Sequence, residues 1–279
     1  MSVGRILAPC FALLLLAGCG PSQGGGEVEF NLPSMLSEAS GLAVAGPDSV
    51  FTHEDEHAIV YEVRLDDGRI PRAFALGKPT IEGDFEGIAT VQGRVFLITS
   101  DGLIYSAVPG KNGERVAYRV YDSGVGKHCE IEGLSNAPEP GGLLILCKRL
   151  RDQDATPRLE IFQWRIGSER AEDAPWLSLP LDGLIAAHDF AEWAPSALEW
   201  DPASGHLLIV SGHNQLLLTL DRHGKLVARR RFDPARHPKV EGIAIMPDGR
   251  LVLADEGSRT RSGQLAIYPM HKVPSPGSP

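Results

Sequence analysis

The sequence predicts an all-β protein, a five-bladed β-propeller of four-stranded antiparallel blades. A four-residue phrase such as Glu-Gly-Ile-Ala returns five times, with variations, along the 279-residue chain. The intervals between successive phrases are 46, 46, 64 and 45 residues, measured from the phrases that begin at Ser40, Glu86, Glu132, Ser196 and Glu241. Repeats of this length with strand-like content are typical of propeller blades.

The N-terminal residues have the layout of a lipoprotein signal peptide, predicted over residues 1–18. An apolar run over residues 6–16 follows Arg5, and it is shorter than the roughly 20 residues of a membrane-spanning helix. The run ends in Leu-Ala-Gly before Cys19, which resembles the bacterial lipobox and implies cleavage there and lipidation of Cys19. The alternative is an ordinary signal peptide, with Cys19 incidental. The anchor predicts a membrane-attached protein facing the periplasm, and Gly20 after the cysteine favours the outer over the inner membrane.

Composition divides the rest of the chain into a tether, one domain and a tail. Residues 19–26 are rich in Gly and Ser and predict a flexible tether, while residues 271–279 predict a disordered tail. Residues 27–270 show no further compositional break, so they are expected to form a single propeller domain. The net charge of −9 excludes a nucleic-acid surface, which needs a concentrated excess of Lys and Arg.

Each repeat is expected to contain four short strands separated by turns. The last repeat is one strand short, and the alternating segment 27–31 is predicted to supply it and close the ring without an exposed sheet edge. The long interval holds about 18 extra residues, between residues 166 and 195. This insertion is either a lid or partner contact, or a tolerated surface loop.

Carboxylates recur at the start of the predicted inner strands. Glu86, Glu132 and Glu241 share the first position of the phrase. Two residues before the start of the first, second and third phrases, and therefore on the same strand face as their first residues, lie Glu38, Asp84 and Glu130. Inner strands surround the propeller axis, so these side chains converge and repel one another unless a proton or cation intervenes. A set of ligands made up entirely of oxygen atoms favours Ca²⁺. These six residues are therefore the predicted calcium ligands.

Two alternatives need no metal. Each glutamate could accept backbone N–H bonds from the neighbouring blade and lock the blades together, or Lys148 and Arg149 could neutralise part of the charge. For these two basic residues the sequence favours solvated loop ends. The ends of the second strands are expected to return to the same face and form a polar mouth, which includes Asp55, Asp101, Lys148, His213, Asn214, Asp255 and Glu256.

Two other patterns involve cysteine and histidine. Cys129 and Cys147 are the pair left in the exported chain, and a hairpin centred near residue 138 would set them opposite each other, which predicts a disulfide; the alternative is two reduced core cysteines. His53-Glu54-Asp55-Glu56-His57 matches the zinc-protease pattern H-E-x-x-H, but that site needs a helix. Here the segment joins two predicted strands, so a zinc site is set aside.

The repeats resemble the SdiA-regulated family of exported bacterial five-bladed propellers, which are distantly similar to NHL-repeat proteins. The motifs that carry the resemblance are SGLA, DFEGIA, EIEGLS, PSALEWDPASGHLLIVSGHNQLLLTLDRHGKL and KVEGIAIMPDGRLVLADE. The resemblance implies a calcium site on the propeller but no established reaction. The fourth repeat departs from the family pattern, because Ser196-Ala197-Leu198 lacks the glycine and Ser-Gly-His-Asn replaces an acidic turn.

Two functions fit these observations. The first is a calcium-holding binding module that presents one face to a small molecule or protein. The second is a calcium-dependent hydrolase of the lactonase or phosphoesterase type, in which metal Lewis acidity activates the substrate. The hydrolase needs a general base beside the metal, and His213 is the candidate. The prediction leans to the binding module, because the mouth shows no nucleophile with an activating base.

Overall fold

A computed structural model describes residues 27–152, 156–258 and 260–269. The predicted signal peptide, the lipidation site Cys19, the tether and the tail lie outside these residues. In chain order the strands are β1 (Val28–Asn31), β2 (Ala39–Gly46), β3 (Ser49–Glu54), β4 (Ile59–Arg64), β5 (Arg72–Leu76), β6 (Phe85–Val91), β7 (Arg94–Thr99), β8 (Leu103–Ala107), β9 (Arg115–Val116), β10 (Tyr118–Asp122), β11 (Cys129–Asn136), β12 (Gly142–Leu150), β13 (Arg158–Arg165), β14 (Leu177–Pro180), β15 (Ala197–Asp201), β16 (His206–Ser211), β17 (Leu216–Asp221), β18 (Leu226–Arg231), β19 (Val240–Ile245), β20 (Arg250–Asp255) and β21 (Gln264–Pro269).

These strands form five blades of a β-propeller, which confirms the predicted fold. From the inside outwards the blades are β2-β3-β4-β5, β6-β7-β8-β10, β11-β12-β13-β14, β15-β16-β17-β18 and β19-β20-β21-β1. Pairing within each of these sets is antiparallel. Three short 3₁₀ helices are found in the described residues, at Ser34–Leu36, Val125–Lys127 and Ala187–Glu192. No helix within the described ranges is both long and apolar enough to cross a bilayer.

The inner strands form a closed ring around the axis. Strands β2, β6, β11, β15 and β19 contact one another in that order, and β19 contacts β2 again. An apolar cluster fills the space between each pair of adjacent blades. In the cluster between blades one and two, for example, Phe51 and Phe74 of blade one meet edge to face at 5.9 Å and pack with Phe85 and Ile88 of blade two. Each such fully buried side chain contributes about 1.5–3 kcal/mol, so the clusters hold the blades in the ring.

The N-terminal strand closes the ring as predicted. β1 pairs with β21, with Val28 opposite Ile267 and Asn31 opposite Gln264. Arg236 reinforces the closure by ion pairing with Glu29 of β1 and by stacking on the ring of Tyr268, 5.6 Å from its centroid. The fifth blade is therefore held by both backbone pairing and side-chain contacts.

Two features go beyond the predicted blade. The two-residue strand β9 adds to the edge of blade one, in parallel with β5, which four-stranded periodicity does not predict. The long insertion contains β14 and the Ala187–Glu192 helix rather than an unstructured loop. An ion pair of 2.6 Å between Arg231 of β18 and Asp189 pins this helix to blade four.

Candidate functional site

A β-bulge places each of the three recurring glutamates. In blade two Phe85 is opposite Thr99 and Gly87 is opposite Ile98, which leaves Glu86 as an extra residue without a partner. The same register shift isolates Glu132 in blade three and Glu241 in blade five. Bulges bend a strand and redirect a side chain, and they are common beside functional sites. The phrase that begins with glutamate therefore marks a bulge near the start of the inner strand, beside the propeller axis.

The glycine after each glutamate allows the inner strands to approach closely. A Cβ added to Gly87 would lie only 2.5 Å from the backbone nitrogen of Leu134 on the neighbouring inner strand. A Cβ on Gly242 would lie 2.9 Å from the side chain of Leu42. Glycine at these positions therefore lets the inner strands lie close together, which brings the bulged glutamates towards one another.

The glutamates interact electrostatically, as predicted from their convergence. Burial, followed by the charge of Glu132, raises the pKa of Glu86 to about 9. Burial likewise raises the pKa of Glu132 to about 7, although Lys148 opposes the shift. Burial also raises the pKa of Glu241, against the effect of Lys239. Proton uptake is therefore one way in which this site limits repulsion.

Salt bridges to lysine are the second way in which the site limits repulsion between its glutamates. Lys148 lies in β12 with its Nζ 2.7 Å from Oε1 of Glu132, and Lys239 Nζ lies 3.3 Å from Oε1 of Glu241. The expectation that Lys148 is a solvated loop end is therefore wrong, because it is part of the second strand and only 26% of its side chain is exposed. Arg149 also lies in β12 and not at a loop end, but its side chain is solvated as expected, with 73% of it exposed, and it lies 3.8 Å from Glu130.

Several buried polar atoms near the axis lack a hydrogen-bond partner among the described residues. They are Oε2 of Glu132, Oδ1 of Asp55 and Nε2 of His53. His53 Nε2 lies 3.3 Å from where a Cβ on Gly41 would stand, so it faces the inner strands. Burial lowers the pKa of His53 to about 4, which keeps the imidazole neutral at pH 7. In the sequence His53 stands out only through the zinc pattern, which does not predict this buried position beside the inner strands.

The three outer carboxylates form a more exposed layer at the same mouth. Glu38 and Asp84 are exposed, and Glu130 is partly so. Asp84 contributes to the raised pKa of Glu86, Glu130 contributes to that of Glu132, and Asp55 is the main cause of the raised pKa of Glu38. Asp84 also accepts a hydrogen bond of 2.5 Å from Ser100 Oγ. Asp84 and Glu130 therefore lie within electrostatic reach of the three bulged glutamates, whereas Glu38 interacts with Asp55 and Glu256 at the mouth.

The axial carboxylates do not form a compact three-ligand cluster in this conformation. Among the described residues, the set of three His, Cys, Asp or Glu whose ligand atoms all lie within 4.8 Å is Glu54, Glu56 and His57. These belong to the H-E-x-x-H segment, whose first residues end strand β3, so no helix aligns its histidines. His53 is buried, while His57 contacts Glu54 at 2.8 Å and is partly exposed.

The fourth blade differs from the others at this level. β15 pairs with β16 over Ala197–Asp201 without a register shift, and Ser196, which occupies the position of the glutamate, lies just before this strand. Ser196 donates a hydrogen bond of 2.6 Å to the carbonyl of Val240 and locks blade four to blade five. His213 is 63% exposed in its side chain, and its charged neighbour is Glu192, with Nε2 3.7 Å from Oε2. The geometry therefore places His213 at the outer edge of the mouth.

A disulfide joins the two cysteines at the base of the site. Cys129 and Cys147 are bonded, with their Cα atoms 5.6 Å apart. The bond links β11 and β12 beside the bulge at Glu132 and the strand that carries Lys148. It therefore stabilises the blade that supplies the most buried carboxylate of the site.

The fold and the site define a class: a five-bladed propeller with a ring of bulged carboxylates at its axis. The model of the SdiA-regulated family matches residues 188–270, which confirms over blades four and five the resemblance seen in the sequence. No curated protein matches the chain.

Solved structures share the fold at low sequence identity. A glucose dehydrogenase is 14% identical, covers 86% of this chain and 99% of its own, and has a TM-score of 0.54. The PQQ-bound aldose sugar dehydrogenase of Streptomyces coelicolor is 13% identical, covers 87% and 98%, and has a TM-score of 0.53. The glutaminyl cyclase of Myxococcus xanthus is 15% identical, covers 86% and 93%, and also has a TM-score of 0.53. At such identities the similarity shows the propeller fold alone.

Proposed function

We propose that this chain is a calcium-binding propeller that presents its polar mouth to a ligand or partner. The observation that carries the proposal is the second carboxylate oxygen of Glu132, which is buried at the axis without a partner among the described residues. A buried acceptor left unsatisfied costs about 1–3 kcal/mol, so a cation that binds it recovers a penalty already present in the fold. The lipobox-like sequence at Cys19 supports a lipid anchor that holds the domain at the periplasmic side of a membrane.

The donor set fits calcium better than zinc. Glu86 and Glu132 offer carboxylate oxygens at the axis, and Asp55 adds a buried oxygen without a partner. Calcium accepts six to eight oxygen ligands in flexible geometry. Carboxylates whose ligand atoms do not all lie within 4.8 Å of one another can therefore still hold one ion, with water molecules completing its coordination. When bound, the ion would supply positive charge and Lewis acidity at the centre of the mouth.

The contacts of two of these glutamates favour cation binding over pure blade locking. Glu132 and Glu241 each form a salt bridge to a lysine side chain, Lys148 and Lys239. The locking role belongs to Glu199, which accepts a hydrogen bond of 2.8 Å from Ser135 Oγ and one from the backbone N–H of Ile245. The axial glutamates are thus available to a cation, in competition with Lys148 and Lys239.

A calcium titration distinguishes calcium binding from blade locking. Calcium is added to the purified protein in a calorimeter, and thermal melts are recorded in calcium and in chelator. Since a ligand that binds only the folded state stabilises it, we expect calcium to raise the melting temperature of the wild type and Glu169→Gln, but not of Glu132→Gln. Glu169 is an exposed glutamate of the same blade's outer loop and serves as the control. Equal calcium stabilisation in all three proteins, or none in any, would contradict the proposed site.

Binding rather than hydrolysis is the function that the mouth supports best. His213, the candidate general base, lies beside Glu192 on the short helix and is mostly exposed. A general base must be within hydrogen-bond reach of the reacting group, directly or through one water. If the protein nevertheless hydrolyses lactones or phosphate esters in calcium and His213→Ala abolishes turnover, the binding assignment is wrong.

A further inference from the structure

A groove of about 440 Å³ lies at the outer rim of blade two, beside the start of its outermost strand β10. Its charged lining residues are Arg94, Arg115, Arg119 and Glu114. None of the three arginines forms an ion pair with a described residue, because Arg94 donates to Ser106 and Arg115 donates to Thr80, which are both neutral. Three unpaired arginines and one glutamate give the groove a formal charge of +2, in a chain whose net charge is −9.

The strand beside this groove has an open edge. β10 pairs with β8 along one side over Tyr118–Asp122. On its other side, the backbone groups of these residues bond to no other backbone group in the described part of the chain. In blade one, by contrast, β9 covers the corresponding edge by pairing with β5. Blade two therefore presents a row of backbone N–H and C=O groups with which another strand can pair, directly beside the cationic groove.

The two faces of β10 differ in chemistry. Tyr118 and Val120 project from one face, and they are 37% and 49% exposed. Arg119 projects from the opposite face, where it stands opposite Ser106 of β8, the residue to which Arg94 donates. Successive side chains of a strand point to alternate faces, and directly opposed side chains of paired strands interact. A strand added to this edge would therefore place every second side chain beside an apolar surface and the others beside a cationic one.

From this edge we infer that blade two binds an extended peptide segment in which acidic and apolar residues alternate. The peptide backbone pairs with β10, the acidic side chains meet Arg119 and the arginines of the groove, and the apolar side chains cover Tyr118 and Val120. In strand addition of this kind, main-chain hydrogen bonds provide affinity and alternate side chains provide specificity. The unpaired arginines favour an acidic segment over a basic one, because complementary charge selects the partner.

The inferred peptide site goes beyond the proposed function, because it lies at the rim and shares no residue with the six predicted calcium ligands. Peptide binding is therefore expected to be the same in calcium and in chelator. If calcium fails to bind and the peptide still binds, the metal proposal fails and the peptide site stands. If calcium binds and the peptide does not, the peptide site alone is wrong.

Calorimetry with designed peptides tests the inference. The probe is a capped heptapeptide of alternating Asp and Val, compared with a peptide that has Asn for each Asp, a peptide of the same composition without alternation, and a version with every backbone nitrogen methylated. We expect the alternating acidic peptide to bind about fivefold more tightly than the Asn peptide and the non-alternating peptide. The methylated version cannot donate backbone hydrogen bonds and should not bind measurably. No binding of the acidic peptide, equal binding of its Asn version, or undiminished binding of the methylated version would each overturn the inference.

Variants of exposed residues then assign binding to this edge. Val120→Glu places an acid beside the peptide and should weaken binding about fivefold, whereas Val227→Glu, at a valine of similar exposure on the outermost strand of blade four, should not. Arg119→Gln should weaken binding about threefold, with Arg165→Gln at an exposed arginine of blade three as its control. Melting temperatures verify that all four variants fold. Equal effects within either pair would refute the assignment, and a wild-type dimer that Val120→Glu dissociates would assign the edge to a second copy of the chain instead.

Discussion

Replacing Lys148 by Met tests how the axial charges are balanced. The ammonium group lies 2.7 Å from Glu132, and only 5% of Glu132 is exposed. Methionine keeps the length and apolar stem of the side chain but removes the charge. Glu132 then has to remain charged without its partner or take up a proton, and burial favours the proton. We therefore expect the pKa of Glu132 to rise further above its present value of about 7.

The sign and size of the effect follow from proton linkage. A carboxyl whose pKa is higher in the folded than in the unfolded state binds more protons when folded, so stability is lost as pH rises through that interval. Below pH 6 Glu132 is protonated in both proteins and Lys148 contributes little. Between pH 7 and 9 the wild-type carboxylate is ionised and paired with Lys148, whereas Glu132 of the variant stays protonated. The variant therefore loses about 1.36 kcal/mol of stability relative to wild type for each pH unit in this range. The variant should therefore be about 2–3 kcal/mol less stable at pH 9 and nearly equal to wild type at pH 6.

Urea unfolding at pH 6, 7.5 and 9 in chelator measures this difference, with Lys225→Met as the control at an exposed lysine in a distant turn. In calcium, the variant should also show a larger stabilisation than wild type, because no ammonium competes for Glu132. A stability difference that is the same at all three pH values would refute the assigned role of Lys148. An identical calcium effect in both proteins would place the ion elsewhere.

Three further predictions concern the scaffold around the site. Cys147→Ser should lower the free energy of unfolding by about 3 kcal/mol in the chain-entropy estimate, measured in urea, and reductant should then have no further effect; reductant that leaves wild type unchanged would contradict this. Arg236→Gln should speed hydrogen exchange of β1 and cost about 1 kcal/mol, since it removes the ion pair to Glu29, whereas equal exchange would show that backbone pairing alone holds the strand. Tyr268→Phe removes the hydroxyl 2.7 Å from His237 Nε2 and should lower stability by about 1–3 kcal/mol; an unchanged melting temperature would show that the buried imidazole needs no such partner.

Much of the fold could be predicted because each blade repeats the same inner strand. The spacing of the phrases located the five inner strands, and the missing fourth strand of the last repeat pointed to residues 27–31, where the structure has β1 at Val28–Asn31. Strand β9 could not be found in this way, because two residues carry no periodicity and its pairing with Ala75 and Leu76 depends on the path of a distant loop. Local patterns identify elements that repeat, whereas single additions depend on tertiary contacts.

The candidate site was predictable in its residues but not in its balance of charge. Alignment of the repeats brought Glu86, Glu132 and Glu241 together, and the structure places them on bulges that no alternation pattern reveals. The bonding of Lys148 to Glu132 depends on the register of β12 across that bulge, which is set by the fold of the whole blade. The conformation of the insertion could not be predicted either, because the sequence left two interpretations of it open.

The irregular fourth blade links these observations. Its phrase has neither the glutamate nor the glycine of the phrases in blades two, three and five, and it offers Ser196 where those blades have a carboxylate. Blades three and five, which carry Glu132 and Glu241, are the two neighbours of blade four in the ring. The repeat that departs from the pattern thus supplies a hydrogen bond between blades, while repeats two, three and five supply the carboxylate oxygens for a cation.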